Sequence, residues 1–342
     1  MTTENNEKEN VSPQLAEQEI KVIIQNWLRS LDIKLGWIND FDKIVVKYAK
    51  YFKLLKVLEG HENIVNSIRF SPDGRKIVSS SNDDTIRIWD VSSGQQIHIF
   101  KEHSSCADAA GFSPDGHIVV SCADDKMIFL WEVKSGKKLM KFEGHVDSVW
   151  DVNFSPDGKY IVSCSLDKTL RLWDVNTGKE IQTMIGHTDS IRNVQFSPDG
   201  QMIVSSSYDE TIALWDAKSG QRLKQLLGHY HFVTSAKFSP DGQSIVSGSW
   251  DKTIRIWNIE SGKEVKKFGE CSDIVNDVKY FPDGQTIVSC SNDNKICLWD
   301  IKSQHVIQKL EGHSHWITGI DVSSDGSTIA SCSYDNTIRI WR

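Results

Sequence analysis

The chain has 342 residues, with 39 Lys and Arg against 46 Asp and Glu, which gives a formal net charge of −7. This acidic balance, without a basic stripe or a glycine-rich phosphate loop, argues against a general nucleic-acid or anionic-membrane surface. The longest apolar runs are only a few residues, so neither a signal peptide nor a transmembrane span is expected. The seven cysteines, an odd number without C-x-x-C spacing, predict neither a disulfide framework nor a zinc site. They indicate a reducing compartment, cytoplasmic or nuclear.

The N-terminal segment divides into a polar tail and a helical region. Residues 1–11 are mostly charged or amide-bearing, and we expect them to be disordered. After a Ser-Pro start signal, apolar residues recur at helical spacing, which predicts two helices over residues 13–31 and 39–51. This region, residues 12–51, either packs on the rest of the chain and holds its first strand, or serves dimerisation or partner docking. A remnant of a longer architecture is a third alternative.

A tryptophan recurs every 42 residues through the remainder of the chain, at Trp89, Trp131, Trp173, Trp215, Trp257, Trp299 and Trp341. Residues 145–186 show one full unit, with four runs of about six residues, alternating or fully apolar, bounded by Gly, Pro, Asn and Asp. The stretch Ser-Pro-Asp-Gly at residues 155–158 suits a tight turn, because proline presets φ and glycine tolerates positive φ. Each unit is therefore predicted to be a four-stranded antiparallel meander. One such sheet cannot bury both faces alone, so the copies must stack.

The unit resembles the repeat of the WD-repeat family. The resemblance rests on a Gly-His near the start of the unit, a Ser-x-x-x-Asp before the third run and a terminal Trp-Asp, and it covers residues 53–342. It implies an all-β fold, a seven-bladed β-propeller over residues 52–342. Only Arg342 follows Trp341, whereas residues 53–61 copy the fourth run of the other units. We expect this upstream segment to supply the outer strand of the last blade and to close the ring, which removes exposed sheet edges.

A His, a Ser and an Asp recur at fixed offsets before the tryptophans and look at first like catalytic triads. Because near-copies stand at the same place in successive units, we predict a structural role instead. The resemblance implies a hydrogen-bonded chain that ends on the indole N–H and ties together a loop and two strands. The sixth unit has Cys271 in place of the histidine, so we expect its network to be incomplete and that blade to open first. The predicted structural network includes His61, Ser79, Asp83, Trp89, His145, Ser163, Asp167, Trp173, His187, Ser205, Asp209 and Trp215.

The resemblance also implies a partner-binding surface. In this family partner peptides lie over the central channel on the top face, formed by the loops before the first strand and between the second and third strands. Three positions per blade are expected to point there, and these positions vary from blade to blade. Most of the distinctive side chains at these positions are aromatic rings and an arginine, which are common at interaction hot spots. Two aspartates form an acidic corner on one side. The alternative is that some of the rings only cover the ends of strands. The candidate partner-binding residues are Asp108, Asp124, Trp150, Arg192, Tyr208, Phe232, Trp250, Trp316 and Tyr334.

The resulting functional hypothesis is a non-enzymatic scaffold or adaptor within a multiprotein complex, with no catalytic residue, metal or cofactor. Aromatic rings beside two carboxylates would suit a peptide that carries Arg or Lys. Narrower alternatives are a histone-tail reader subunit of a methyltransferase complex, a substrate receptor of a ubiquitin ligase and a G-protein-β-like signalling subunit. Rivals from other classes are an enzyme, for which Asp108 and Asp124 alone are too few carboxylates, and a coat-like protein that self-associates through the N-terminal helices.

Overall fold

The computed structural model describes residues 51–269 and 272–342, and within these ranges the regular structure consists of strands and turns. The predicted tail over residues 1–11 and the predicted helices over residues 13–31 and 39–51 lie outside the described residues, Tyr51 apart. Cys271 lies outside them as well. The strands are four to six residues long.

In chain order the strands are β1 (Leu54–Leu58), β2 (Val65–Phe70), β3 (Lys76–Ser81), β4 (Ile86–Asp90), β5 (Gln96–Phe100), β6 (Ala107–Phe112), β7 (Ile118–Ala123), β8 (Ile128–Glu132), β9 (Lys138–Phe142), β10 (Val149–Phe154), β11 (Tyr160–Ser165), β12 (Thr169–Asp174), β13 (Glu180–Ile185), β14 (Ile191–Phe196), β15 (Met202–Ser207), β16 (Ile212–Asp216), β17 (Arg222–Leu226), β18 (Val233–Phe238), β19 (Ser244–Ser249), β20 (Ile254–Asn258), β21 (Glu264–Phe268), β22 (Val275–Tyr280), β23 (Thr286–Ser291), β24 (Lys295–Asp300), β25 (Val306–Glu311), β26 (Ile317–Val322), β27 (Ile329–Ser333) and β28 (Ile338–Trp341).

The strands form seven antiparallel sheets of four, and each sheet is one blade. Blades 1 to 6 are meanders of consecutive strands, from β2–β5 in blade 1 to β22–β25 in blade 6. The first strand of each blade contacts the first strands of its neighbours, and β2 contacts both β6 and β26. The seven first strands therefore surround a central channel. The all-β seven-bladed propeller predicted from the sequence is confirmed.

Blade 7 is completed by a strand from upstream of blade 1. Its sheet has the order β1-β28-β27-β26, and Leu58 pairs with Ile338 in an antiparallel register. Just before β1, the Lys53 amide donates to the Arg342 carbonyl oxygen and the Arg342 amide donates to that of Lys53, both at 2.9 Å. The predicted closure of the ring is confirmed.

The Gln308 side chain binds the backbone of the segment just before β1. At one register position of the outer strands, a long side chain reaches the turn before the next outer strand, as when Lys224 Nζ donates to the Ile259 carbonyl oxygen at 2.8 Å. Blade 7 has no such turn, because its outer strand is β1, which precedes blade 1 in the chain. Gln308 instead holds both backbone groups of Phe52, with its Oε1 3.0 Å from the amide nitrogen and its Nε2 2.7 Å from the carbonyl oxygen. The Phe52 ring packs 5.9 Å from that of Phe281, measured between centroids.

The apolar core lies between neighbouring sheets. Val162 and Leu172 of blade 3 pack with Ile203 and Trp215 of blade 4, and equivalent clusters follow around the ring. The cluster between blades 7 and 1 contains Leu58 of β1, so apolar packing closes the ring together with the hydrogen bonds. Burial of these side chains is the main stabilising contribution, at about 25 cal/mol per Å² of apolar surface.

Candidate functional site

Six blades contain the same buried chain of hydrogen bonds at the top face. In blade 3 the Trp173 indole N–H donates to Ser163 Oγ at 2.9 Å, and this Oγ lies 2.7 Å from His145 Nε2. His145 Nδ1 in turn lies 2.8 Å from an Asp167 carboxylate oxygen. Because an ionised carboxylate can only accept, the imidazole proton lies on Nδ1, and Nε2 accepts the serine hydroxyl. Corresponding pairs at 2.7–2.9 Å involve the histidines His61, His103, His187, His229 and His313.

This network holds its aspartates in the ionised form, and its serine hydroxyls already make hydrogen bonds within the protein. Burial raises the pKa of Asp167, but hydrogen bonds from His145 and Thr169 outweigh burial and hold that pKa well below its usual range. Burial lowers the pKa of His61, because it disfavours the imidazolium form. Ser163 is fully buried and already bonded to two partners. None of these groups is presented to a substrate as a nucleophile would have to be.

Blade 6 keeps only part of this arrangement. The Trp299 indole N–H still donates to Ser289 Oγ at 2.8 Å. The Asp293 carboxylate accepts hydrogen bonds from the hydroxyls of Ser272 and Ser291. Early opening of this blade stays a prediction.

One residue of each first strand lines the channel mouth, the opening of the channel at the top face. In four blades this residue donates to a carbonyl oxygen of the next blade: Asn66 to Ala107 at 2.8 Å, Thr234 to Val275 at 2.7 Å, Asn276 to Ile317 at 2.7 Å, and Thr318 to Val65. Blades 2, 3 and 4 have Asp108, Trp150 and Arg192 at this position, and none of these makes the bond within the described residues. The repeat thus departs from its own pattern in three successive blades.

Asp108 and Asp124 form the acidic corner of the channel mouth, in blade 2. Burial chiefly raises the pKa of Asp108 well above its usual range. The charge of Asp124 and a hydrogen bond to it add to this effect, while the Arg192 guanidinium opposes it. Asp108 Oδ2 is inaccessible to solvent and accepts no hydrogen bond from the part of the chain that the structure describes. A buried acceptor without a donor is uncommon in folded proteins.

Five predicted residues form a continuous group across blades 3 to 5, the aromatic arc: Trp150, Arg192, Tyr208, Phe232 and Trp250. The Tyr208 ring stacks on Phe232 with centroids 4.3 Å apart, and it lies 5.3 Å from the Trp150 ring. Phe232 and Trp250 are 5.1 Å apart. The Arg192 guanidinium lies 5.7 Å from the Trp150 ring centroid, and it donates to the Trp150 carbonyl oxygen at 3.4 Å. The rings are half-buried against one another, and the protein's own arginine covers one face of Trp150.

Trp316 and Tyr334 lie apart from the arc, in blade 7. Their ring centroids are 5.3 Å apart, and His315 stacks on Tyr334 at 5.4 Å. Trp316 is 43% exposed and Tyr334 38%, more than any ring of the arc. Within the described residues no ring contact joins this pair to the arc. The nine predicted residues therefore fall into an acidic corner, an aromatic arc and a separate pair in blade 7.

Sequence reasoning missed a set of charges deeper in the channel. Arg69 reaches across blade 2 to the Asp151 carboxylate, and it donates to Asn153 Oδ1 at 2.8 Å. Gly111 permits this crossing, since a Cβ there would come within 2.9 Å of the guanidinium. Lys237 is buried nearby, and burial lowers its pKa to about 8. The signal was present in the sequence, because the eighth residue after each Gly-His histidine position differs in charge between blades.

Residues 51–269 and 272–342 contain neither a candidate metal site nor a candidate membrane-spanning helix. No group of three or more His, Cys, Asp or Glu side chains is placed there to hold a metal ion. No helix in those ranges is long and apolar enough to cross a bilayer.

Short segments of the chain are similar to several curated proteins. It is 39% identical over 62 residues to Ribosome assembly protein 4 of Saccharomyces cerevisiae, which covers 18% of this chain and 12% of that protein. It is 60% identical over 40 residues to Probable cytosolic iron-sulfur protein assembly protein 1 of Chaetomium globosum, or 11% of this chain and 9% of that protein. It is 45% identical over 59 residues to Vegetative incompatibility protein HET-E-1 of Podospora anserina, 17% of this chain and 4% of that protein. The chain thus spans a small part of the length of these relatives.

A family model described as WD domain, G-beta repeat matches the chain seven times, over residues 52–90, 94–132, 136–174, 178–216, 220–258, 262–300 and 304–342. Each match starts at the outer strand of one blade and ends after the third strand of the next, so the sequence repeat is offset from the blade by one strand. The first match contains β1, the strand that closes the ring. The chain belongs to the WD40 family of WD domain, G-beta repeat proteins.

Proposed function

We propose that this protein is a non-enzymatic scaffold that binds partner peptides on the top face of its propeller. The observation that carries the proposal is the break in the repeat at the channel mouth. There Asp108, Trp150 and Arg192 replace the side chains that bond one blade to the next. A local departure from a stabilising pattern is typical of a surface kept for function.

The partner peptide that we propose carries Arg or Lys. The aromatic arc offers ring faces, and the acidic corner adds carboxylates on one flank. The position of Arg192 over the Trp150 ring illustrates that a guanidinium is compatible with this surface. The net charge of −7 favours approach of a basic segment, although salt screens this attraction beyond about 8 Å.

We further propose that the scaffold works within a multiprotein complex in the cytoplasm or nucleus. The six cysteines in the described residues are free, as in a reducing compartment. Two proteins with similar segments are named for ribosome assembly and for cytosolic iron-sulfur protein assembly, which suits an adaptor role. Histone-tail reading, substrate reception for a ubiquitin ligase and G-protein-β-like signalling are narrower forms of the same proposal. Self-association through residues 12–51 stays a prediction.

Affinity purification with mass spectrometry tests the proposal. The variant combines Trp150→Asn, Tyr208→Asn and Trp250→Asn, which places at the mouth the residue type that blades 1 and 6 have at these positions. The control is Tyr160→Ala, a partly exposed aromatic residue at the start of a second strand. We expect the triple variant to lose partners that the wild type and the control recover, with its thermal unfolding still cooperative. Recovery of every partner by the triple variant would refute the proposed site.

A further inference from the structure

Two register positions at the channel mouth can be compared between blades of the same chain. Blades 1 and 6 hold an asparagine pair there, in which the first amide donates to the second at 2.6 Å and 2.8 Å: Asn66–Asn82 and Asn276–Asn292. In each pair the first amide also donates to a carbonyl oxygen of the next blade. These amide pairs are therefore satisfied within the protein. Blade 2 has Asp108 and Asp124 at the same positions.

The aspartate pair cannot reproduce these bonds. An ionised carboxylate has no donor, so neither the hydrogen bond within the pair nor the bond to the next blade forms unless a proton is held. Two adjacent carboxylates also repel each other when both are ionised. Asp108 Oδ2 is inaccessible to solvent and has no donor among the described residues. A proton held between Asp108 and Asp124 restores the bond within the pair but not the bond to the next blade, so the acid pair is satisfied less fully than the asparagine pairs.

We propose that Asp108 and Asp124 are the subsite for the ammonium group of a lysine side chain in the partner peptide. This inference rests on the proposed function and specifies which residue the peptide inserts and where. An ammonium group has three N–H donors and one positive charge, so it can satisfy both carboxylates at once.

The space and the charges beside Asp108 favour lysine over arginine. Asp108 lines one side of the channel cavity, which has a volume of about 50 Å³; the other charged residues of its lining are Asp151, Asp277, Arg69, Arg192, Lys237 and Lys279. An ammonium group is a compact point charge that can lie between two carboxylates, whereas a planar guanidinium is suited to bidentate contact with one. The neighbouring ring face of Trp150 is already covered by Arg192. A lysine that binds the two carboxylates needs no ring face of Trp150 and so leaves Arg192 in place.

The surrounding groups set the pH dependence of binding. The titratable and charged groups that act on Asp108 or line its cavity are Arg69, Cys106, Cys122, Asp124, Asp125, Asp151, Arg192, Lys237, Asp277 and Lys279. Burial raises the pKa of Asp108 in the free protein, and Arg192 opposes this rise without cancelling it. A bound ammonium favours the ionised pair, so binding displaces a proton from Asp108. Affinity therefore increases with pH up to the pKa of the free carboxyl and is constant above it.

Calorimetric titration tests the subsite. An array of basic peptides first identifies the N-acetylated lysine peptide that binds the wild type most tightly, and this peptide is the probe. Two control peptides carry ε-acetyllysine or arginine in place of that lysine. A third control has a free N-terminal amine. The protein variant is Asp108→Asn with Asp124→Asn, which recreates the asparagine pair of blades 1 and 6. We expect this variant to bind the lysine peptide roughly ten- to hundredfold more weakly, as for a lost charge-assisted hydrogen bond. Below the pKa of the free Asp108 carboxyl the wild type should release a proton on binding, and the variant none.

Two further measurements separate binding from structure. Asp147→Asn, a matched change in a top loop of blade 3, should leave the affinity unchanged. The double variant should melt at or above the wild-type temperature, because its new pair is neutral and satisfied. Unaltered affinity of the double variant, or equal affinity of the wild type for ε-acetyllysine or arginine peptides, would overturn the lysine subsite and leave the peptide-binding scaffold standing. Binding that needs the free N-terminal amine would overturn it as well. Failure of every basic peptide to bind the wild type would overturn both.

Discussion

Ser205 connects two side chains that would otherwise be buried without partners. The Trp215 indole N–H donates to its Oγ at 2.8 Å, and His187 Nε2 lies 2.8 Å from the same atom. Asp209 holds the other imidazole nitrogen at 2.8 Å. Buried polar groups need such partners, and a network that loses one member leaves the others unsatisfied.

Ser205→Ala should lower the free energy of unfolding by about 2–4 kcal/mol, since it leaves both the Trp215 indole N–H and His187 Nε2 without a hydrogen-bond partner. Ser289→Ala is the matched control in blade 6, where the sequence has Cys271 at the histidine position. There the hydroxyl receives the Trp299 indole bond without an imidazole partner, so we expect a smaller loss. Urea unfolding at pH 7 measures both, and equal losses would argue against the cooperative network.

The same network makes stability depend on acidity. Hydrogen bonds hold the pKa of Asp209 below its unfolded value, despite burial, so its contribution is present above about pH 4 and is lost as pH falls. Burial lowers the pKa of His229 and His313, and these neutral imidazoles cost stability below about pH 6.5. The wild type should thus lose stability below about pH 6.5 and lose it more steeply below about pH 4.

Asp209→Asn tests the acid part of this dependence. The variant should be less stable at pH 7, and its loss between about pH 5 and pH 3 should be shallower than that of the wild type, because one depressed carboxyl is gone. Urea unfolding at several pH values gives both curves. Parallel curves over this interval would show that Asp209 does not carry the proposed linkage.

At the scale of elements, the pairing of β1 with β28 determines whether the ring is closed. The backbone bonds of that pair are supported by Gln308, which holds both polar groups of Phe52. In the other blades the matching side chain reaches a turn of the next blade instead, as Gln182 does to the Ser219 carbonyl oxygen. Gln308 therefore compensates for the missing turn.

Gln308→Ala should release the start of β1. It removes two buried hydrogen bonds, so we expect a loss of about 1–3 kcal/mol and faster amide exchange over residues 52–58. Gln182→Ala removes only an exposed bond at the equivalent position and should change neither quantity by much. Hydrogen–deuterium exchange by mass spectrometry measures the effect. Unchanged protection of residues 52–58 in Gln308→Ala would show that the strand is held by its β28 pairing alone.

The regular part of the fold could be predicted from spacing and turn chemistry. The four runs seen in residues 145–186 correspond to β10, β11, β12 and β13, because their apolar pattern and their Gly and Pro turns act locally. The left-handed residue after each turn aspartate could not be predicted. Lys168 has a φ of 69° without being glycine, and no residue type marks this position.

The candidate site was predictable only as a set of positions. Alignment of the repeats brought Trp150, Tyr208 and Trp250 to the top face, but the packing of their rings depends on neighbours in other blades. The crossing of Arg69 to Asp151 joins residues far apart in the chain, and it depends on the absence of a side chain at Gly111. The varying charge at the position of Arg69 is visible in the sequence, but no local pattern predicts the crossing itself.

At the scale of the whole molecule, recognition of one partner requires that the surface residues differ between blades of otherwise similar structure. The polar contacts between first strands continue through blades 5, 6, 7 and 1, where Thr234, Asn276, Thr318 and Asn66 bond to the next blade. Blades 2 to 4 instead carry the acidic corner and most of the aromatic arc. We propose that the closed ring supplies a frame and that this sector supplies the chemistry for recognition.

Hydrogen–deuterium exchange of the wild type with and without a captured partner peptide tests the central claim most directly. We predict that the peptide slows exchange in the top loops of blades 2 to 5, over residues 105–108, 148–150, 190–192, 206–208 and 231–234. The Ser-Pro-Asp-Gly turns at the opposite end, such as residues 155–158, should exchange as in the free protein. Slower exchange at those turns or along the outer strands, with the top loops unchanged, would contradict the account.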